Sequence, residues 1–209
     1  MKKALCICVF IFVMTGVSFA QQGFERKNNY IGLEGGLFIP TGSYEEPGIK
    51  LDHESGGDFG LKYVHYFNTN IGINIRLSRT SFDSEKVDLE IIGTTFTAHN
   101  EYETITFGAG LTGRLPITEF IDLQGDVGVA YNSNKIKIIL EGMGIEVSDS
   151  DSGSAFGFFI DAGVNFIPIP ELSVGALFRY STNNQSFEDD RDDIDLGGMS
   201  FLLTVGYMF

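Results

Sequence analysis

The residues of this chain best suited to moving protons at neutral pH are its three histidines, His53, His65 and His99. A catalytic histidine works with a nucleophile or a carboxylate, and catalytic motifs hold these partners at recognisable spacings. None of the three has a serine or an acidic residue at such a spacing. We therefore predict no catalytic residues and a protein that is not an enzyme.

Acidic residues are the second chemical signal, because carboxylates can hold a divalent cation. Their densest run is 188–195, but it lacks the spaced ligands and the central glycine of a calcium loop. Both cysteines, Cys6 and Cys8, fall in the apolar N-terminal segment, so no cysteine metal site is expected. We expect neither a metal nor a cofactor.

The charge balance excludes one class of partner. The chain has 28 acidic residues against 14 basic ones, two of which are Lys2 and Lys3, and its formal net charge is −14. Such a chain is repelled by phosphate backbones, and its basic residues form no cluster. The sequence predicts no nucleic-acid partner.

A different set of charged residues lies inside segments of alternating polarity. In each segment apolar residues recur at every second position, which is typical of a β-strand, and the charged residues lie on the opposite face. These residues are Glu34, Lys62, Arg76, Arg114, Asp122, Asp126, Asp161 and Arg179. Buried ionised groups must be paired or hydrated, so we expect an inward charge network with Glu34 opposite Lys62 and Arg114 near Asp122.

Eight segments show this alternation, which predicts eight strands. They are residues 30–39, 58–67, 71–78, 104–115, 120–131, 156–166, 172–180 and 201–209. Their links alternate between short turns and long, acidic loops, as in outer-membrane barrels, where turns are short on one side and loops are long on the other. The predicted fold is all-β, an eight-stranded antiparallel up-and-down transmembrane β-barrel.

The N-terminus carries the marks of a secretory signal peptide. Lys2 and Lys3 precede an apolar run over 4–17, and small residues at Ser18 and Ala20 mark a cleavage site. The run is too short for a membrane-spanning helix. We predict a signal peptide over residues 1–20 and a barrel domain over 21–209.

The C-terminus alternates strictly and ends on an aromatic residue. One face of the last segment consists of Phe201, Leu203, Val205, Tyr207 and Phe209. A terminal phenylalanine after alternating apolar residues resembles the C-terminal signal by which outer-membrane β-barrels are handed to the barrel assembly machinery. A soluble ligand-carrying barrel would turn its apolar face inward. The signal peptide, the terminal phenylalanine and the loop asymmetry together favour the membrane.

The whole pattern resembles the small outer-membrane β-barrels that include the OmpA transmembrane domain, OmpX and the opacity-type proteins. That resemblance implies the outer membrane of a Gram-negative bacterium, with surrounding lipid and lipopolysaccharide, both termini in the periplasm and the long loops outside. It implies a structural or adhesive role, with an extracellular or host protein as the candidate partner. The alternatives are a small pore and a rim enzyme that modifies lipid A through His53 or His99.

Two of the long links continue the strand alternation. Residues 87–98 turn near Gly93, residues 136–147 turn near Gly142 to Gly144, and the apolar parity flips between Tyr131 and Ile136. We predict that these hairpins stand above the membrane as a protruding sheet, similar to that of OmpX. An exposed strand edge there would capture a partner strand by backbone pairing.

Overall fold

A computed structural model describes residues 26–46, 49–91, 94–142, 145–185 and 194–209. The predicted signal peptide lies outside these ranges. Thirteen strands run through the described residues: β1 (Asn29–Pro40), β2 (Ser43–Glu46), β3 (Ile49–Asp52), β4 (Gly56–Tyr66), β5 (Ile71–Asp83), β6 (Val87–Ile91), β7 (Thr94–Pro116), β8 (Ile121–Gly142), β9 (Ile145–Ile169), β10 (Leu172–Ser181), β11 (Asn184–Gln185), β12 (Ile194–Asp195) and β13 (Gly198–Met208).

Eight of the strands form a closed barrel. Around the barrel their order is β1, β4, β5, β7, β8, β9, β10 and β13, every pair is antiparallel, and β13 returns to pair with β1. Closure leaves none of these eight without a partner on either side along its barrel portion, which is how such folds remove sheet edges. The predicted fold class is confirmed.

The start of β1 and the residue after β13 meet at one end of this barrel, which we call the terminal end. Asn29 and Phe209 exchange two backbone hydrogen bonds of 3.0 Å. The turns at this end are short and are held by side chains. In the first of them, the Asn68 Oδ1 accepts hydrogen bonds from the backbone N–H groups of Asn70 and Ile71, both at 2.8 Å, as asparagine commonly does in tight turns. The opposite end, with the long connections, is the loop end.

The outside of the barrel is apolar. Alternate residues of every barrel strand project large exposed hydrophobic side chains, for example Leu33, Phe107, Val129 and Leu203. Exposed apolar side chains scattered singly are normal in water, but a continuous belt of them needs a non-aqueous environment. We call this belt the lipid-facing band; on β8 it runs from Ile121 to Tyr131. The described residues contain no helix long and apolar enough to cross a membrane.

Three of the barrel strands run past the bounds predicted for the barrel segments, into the links where the sequence alternation continues. β7, β8 and β9 have 23, 22 and 25 residues, because the pairing of β7 with β8 continues to Thr97 and Glu141 and that of β8 with β9 to Gly142 and Ile145. β6 adds to the far end of β7. We call the parts of β6 to β9 beyond the barrel, residues 87–91, 94–100, 134–142 and 145–153, the extension.

Candidate functional site

The interior of the barrel is packed with charged side chains at mid-height. We call seven of them the lumen cluster: Glu34, Asp58, Lys62, Arg76, Asp126, Asp161 and Arg179. All seven are buried. They come from β1, β4, β5, β8, β9 and β10, so the cluster ties together strands on opposite walls.

Arg179 is the centre of the lumen cluster. Its Nε donates to Asp161 at 3.1 Å, its Nη1 to Asp58 at 3.3 Å and its Nη2 to Glu34. The Ser200 hydroxyl also donates to Asp58, at 2.7 Å. A guanidinium offers donors in a fixed plane, which lets one arginine serve three carboxylates.

Two further cations complete the lumen cluster. Arg76 donates to Asp161 at 2.5 Å and approaches Asp126 at 3.4 Å, while Lys62 donates to Asp126. Lys62 also lies 3.9 Å from Glu34. The guanidinium of Arg76 stacks over the inward ring of Phe159, 3.9 Å from its centroid. Ionic contacts and ring packing therefore fill the same section of the lumen.

The strand register differs from the expected one at two pairings. Glu34 lies opposite Gly60, and Lys62 lies opposite Gly32, but the two side chains still form the expected inward ion pair, 3.9 Å apart. Arg114 lies directly opposite Gln124, and Asp122 lies two residues from Gln124 on the same face of β8. The turn before β8 includes the hydrogen bond from the Ile117 N–H to the Ile121 carbonyl, 2.8 Å, which leaves Asp122 opposite Pro116.

Arg114 and Asp122 have other contacts at the terminal end. Asp122 pairs with Arg26, Nη2 to Oδ1 3.0 Å. Arg114 donates to the carbonyls of Thr69 and Lys27 and stacks over the ring of Tyr66 at 3.9 Å. Arg26 and Asp58 were missed by the sequence analysis. Asp58 has the same strand parity as Lys62, so its inward position could have been predicted from the alternation. Arg26 lies in the segment before β1, which has no such periodicity.

Apolar clusters close the lumen above and below the charges. The cluster at the terminal end consists of Tyr30, Val64, Tyr66, Ile167 and Met208. The cluster at the loop end consists of Phe38, Phe82, Tyr102, Ile136, Ile194 and Leu196. Every member is less than a tenth exposed, so the described side chains leave little space for water to pass along the barrel axis. The side chain of Ile136 therefore points inward, whereas that of Tyr131 on the same strand points outward, as the change in the parity of the apolar residues indicated.

Polar side chains anchor the last long loop beneath the loop-end cluster. Asn134 donates to Asn183 at 3.1 Å and to Gln185 at 2.8 Å, and Asn183 donates back to Asn134 at 2.8 Å. Thr104 donates to the same Asn134 oxygen at 2.9 Å. The start of this loop is therefore folded into the barrel mouth, tied to β7 and β8.

The histidines fall in three separate environments. His53 packs its ring against Tyr102 at 4.8 Å and Phe82 at 5.4 Å. His65 lies beside Phe67 at the terminal end, with Nδ1 2.9 Å from the Asn29 Oδ1. His99 is buried in the extension. Nothing in these contacts aligns a histidine with a nucleophile.

Ser84, which forms a β-bridge with His53, already has hydrogen-bond partners. The hydroxyl of Ser84 accepts from the Asn100 N–H at 2.9 Å and donates to the Glu85 carbonyl at 3.2 Å. Burial raises the pKa of the nearby Tyr102 hydroxyl, and a hydrogen bond from Asn100 offsets part of that shift. Within the described ranges no group of three or more histidine, cysteine or acidic side chains could hold a metal ion; most of the acidic run at 188–195 lies outside them.

The extension projects beyond the lipid-facing band. At its base the outward side chains of neighbouring strands are charged: Arg79 donates to Glu103 at 2.9 Å, and Lys137 of the extension lies 3.7 Å from Glu101. These pairs are largely exposed. The change from apolar to charged outward side chains places the boundary of the band between Ile105 and Glu103.

Comparison with known proteins decides the family. The family model described as outer membrane protein beta-barrel domain matches residues 7–209. The chain belongs to this family. As an outer-membrane β-barrel, it lies in the outer membrane of a Gram-negative bacterium, and its lipid-facing band contacts the bilayer.

Individual relatives of this outer-membrane barrel agree with the assignment. The attachment invasion locus protein of Yersinia enterocolitica is 27% identical over 167 residues, 79% of each chain. The Yersinia pestis attachment invasion locus protein, Ail, aligns with a TM-score of 0.51 and 22% identity over 88% of this chain and all of that one, and it was also solved with the heparin analogue sucrose octasulfate. OprG of Pseudomonas aeruginosa aligns with a TM-score of 0.57 and 15% identity over 88% and 97%.

Proposed function

We propose that this outer-membrane barrel is a non-enzymatic surface protein whose extension makes adhesive contacts outside the cell, with both termini in the periplasm. The observation that carries the proposal is the extension itself, a paired sheet that continues β7, β8 and β9 well past the lipid-facing band. A scaffold needs only the barrel, so the additional ordered strands favour a binding role over a purely structural one.

The filled lumen supports a binding role over transport. A pore needs a continuous hydrated path, but apolar side chains close both ends of this lumen and the lumen cluster fills its middle. In planar bilayers we expect a flat current trace from the purified protein. Sustained single-channel steps would favour the pore instead.

The Yersinia enterocolitica relative is named for attachment and invasion, which fits an adhesive role here. The partner chemistry need not be shared. The Yersinia pestis protein was solved with a polyanion, sucrose octasulfate, whereas this chain carries 28 acidic residues against 14 basic ones. Opposite charges attract across an interface, so a partner with basic groups suits this chain better.

One edge of the extension is open to strand addition. β6 pairs with β7 on one side only among the described residues, and an unpaired edge can accept a partner strand by backbone hydrogen bonds. We infer that protein contacts include this edge rather than the last long loop.

Deletion of residues 87–98 tests the adhesive role. The shortened protein should still assemble and show heat-modifiable migration, because the eight barrel strands remain, while a non-adherent strain that displays it should bind fewer cells than one displaying the full protein. Deletion of 186–193 in the last loop is the control and should leave adhesion unchanged. If deleting 87–98 leaves adhesion intact, the extension is not the adhesive part.

Surface labelling tests the orientation. A cysteine introduced at Glu141 in the extension should react with an impermeant maleimide on intact cells, whereas one introduced at Thr69 in a terminal-end turn should react only after lysis. The reverse pattern would contradict the proposed orientation.

A further inference from the structure

The extension exposes apolar side chains where no lipid can cover them. Val147 is 60% and Ile138 43% exposed. Ile138 lies seven residues beyond Tyr131, the last outward aromatic of β8 in the lipid-facing band, which is about 23 Å along a β-strand. Exposed apolar residues within the band are explained by the bilayer, but these two are not.

These apolar residues share one face of the sheet. Val147 of β9 lies directly opposite Leu140 of β8, and Ile138 precedes Leu140 by two residues on the same strand. Directly opposed residues of antiparallel strands lie side by side on one face. Ile138, Leu140 and Val147 therefore form a contiguous apolar surface rather than three scattered side chains.

The same face carries negative charge and no described positive charge. Asp149 lies opposite Ile138, and Asp151 follows on β9; both are exposed. The lysines of this region, Lys135 and Lys137, have the opposite parity on β8 and lie on the other face. We call the surface formed by Ile138, Leu140, Val147, Asp149 and Asp151 the acidic apolar face.

The adjoining strand edge is protected against strand addition. The Asp149 Oδ1 accepts a hydrogen bond from the Ser150 N–H at 2.8 Å, and the Asp151 Oδ1 accepts one from the Ser152 N–H at 2.7 Å. Two N–H groups of this part of β9 are thus occupied by carboxylates, and charge at an edge discourages pairing. A partner at β9 is better accommodated on the face than along the edge.

We propose that the acidic apolar face binds an amphipathic cationic segment of a partner protein, whose apolar side chains cover Ile138 and Val147 and whose lysine or arginine side chains lie beside Asp149 and Asp151. The charge of the face selects this occupant, because it repels an anionic lipid headgroup and an equally acidic second copy of the face. The inference rests on the proposed function and specifies the partner chemistry of the same extension.

Peptide binding to the full protein in zwitterionic lipid nanodiscs tests this proposal. The probe is a synthetic amphipathic helix of leucine and lysine, and the control probe is a peptide of the same composition with its order scrambled to remove the apolar face. Fluorescence anisotropy should show the amphipathic peptide binding at least about tenfold more tightly, a difference of about 1.4 kcal/mol.

Variants assign the binding to the face. The double change Ile138→Ser with Val147→Ser should weaken binding about tenfold, and Asp149→Asn with Asp151→Asn should weaken it and flatten its salt dependence. Lys135→Gln with Lys137→Gln, on the opposite face, is the matched control and should not weaken binding. Heat-modifiable migration confirms that each variant is folded. If the double serine variant does not fold, Val147→Ser alone replaces it in the binding measurement.

Three results would overturn the proposal. The first is equal peptide binding by the serine variant and the unaltered protein, and the second is equal binding of the two peptides. The third is self-association of the peptide-free protein in sedimentation that Val147→Ser abolishes, because a second copy would then be the occupant. If adhesion falls on deletion of 87–98 while the face variants bind peptide normally, the proposed function stands and this inference fails. If the face variants lose peptide binding while that deletion leaves adhesion unchanged, this inference stands and the proposed adhesive function fails.

Discussion

Arg26 and Asp122 form an ion pair across the terminal mouth of the barrel, with Nη2 of Arg26 3.0 Å from Oδ1 of Asp122 and both side chains less than a tenth exposed. Arg26 precedes β1 and Asp122 lies on β8, and three strands separate β1 from β8 in either direction around the barrel. Arg26 also donates to the Thr118 carbonyl at 2.9 Å. The segment before β1 is thereby fixed across the mouth.

Removing Arg26 should cost more stability than removing the whole pair. Arg26→Ala leaves the Asp122 carboxylate buried without its ion-pair partner, and breaking such a pair costs about 3 kcal/mol. The double variant with Asp122→Ala leaves no stranded carboxylate and should be more stable than Arg26→Ala. Urea unfolding in detergent micelles, followed by heat-modifiable migration, measures both. Additive effects of the two changes would contradict this coupling.

Arg179 should be among the least replaceable residues of the chain. Arg179→Ala leaves Glu34, Asp58 and Asp161 buried with a cation removed, so we expect a loss of at least about 3 kcal/mol in the free energy of unfolding. Arg79→Ala is the matched control, since its pair with Glu103 is exposed and should contribute less than about 1 kcal/mol. Similar losses in the same urea titration would show that the lumen cluster does not depend on Arg179.

The strand faces were predictable from the sequence, but the register that sets directly opposed residues was not. A period of two assigns each residue of a strand to one face without knowledge of its neighbours, which is why Lys62 and Arg179 were placed inward. Register depends on turn length, and a shift of two residues keeps every face while changing every partner. That shift is the reason Arg114 faces Gln124 and not Asp122.

Other parts of the interior left no sequence signal. Arg26 lies in a polar segment without alternation, and Asn183 and Gln185 lie in and beside the two-residue strand β11, so nothing in their spacing indicates that they fold into the barrel. Their burial follows from hydrogen bonds between residues far apart in the chain, such as Asn183 with Asn134. Such contacts depend on the closed barrel and cannot be derived from local propensity.

Two glycines of β8, Gly128 on the inner face and Gly125 on the outer face, should differ in their tolerance of a side chain. A Cβ at Gly128 would lie 2.4 Å from the Ala109 carbonyl oxygen and 2.5 Å from the ring of Phe159, whereas the nearest atom to a Cβ at Gly125 is 3.6 Å away. Gly128→Ala should therefore destabilise the barrel by about 1 to 3 kcal/mol through overpacking. Gly125→Ala, on the same strand, should be close to neutral. Equal unfolding midpoints for the two variants would show that Phe159 repacks freely.

Substituting Phe209 should affect assembly in cells without affecting the stability of the folded barrel. We propose that Phe209, with Phe201, Leu203, Val205 and Tyr207, forms the signal read by the barrel assembly machinery. The ring of Phe209 is half exposed, while its backbone N–H and C=O are bonded to Asn29. Phe209→Ser keeps those backbone bonds, so the purified variant should refold in detergent like the unaltered protein. In cells, however, its folded, heat-modifiable fraction in the outer membrane should fall several-fold.

Phe120→Ser is the control, because Phe120 is a similarly exposed aromatic at the terminal end but lies outside the last strand. An equal loss from both variants in cells would mean that any exposed aromatic here supports insertion, and a loss of refolding in detergent would mean that Phe209 acts through stability.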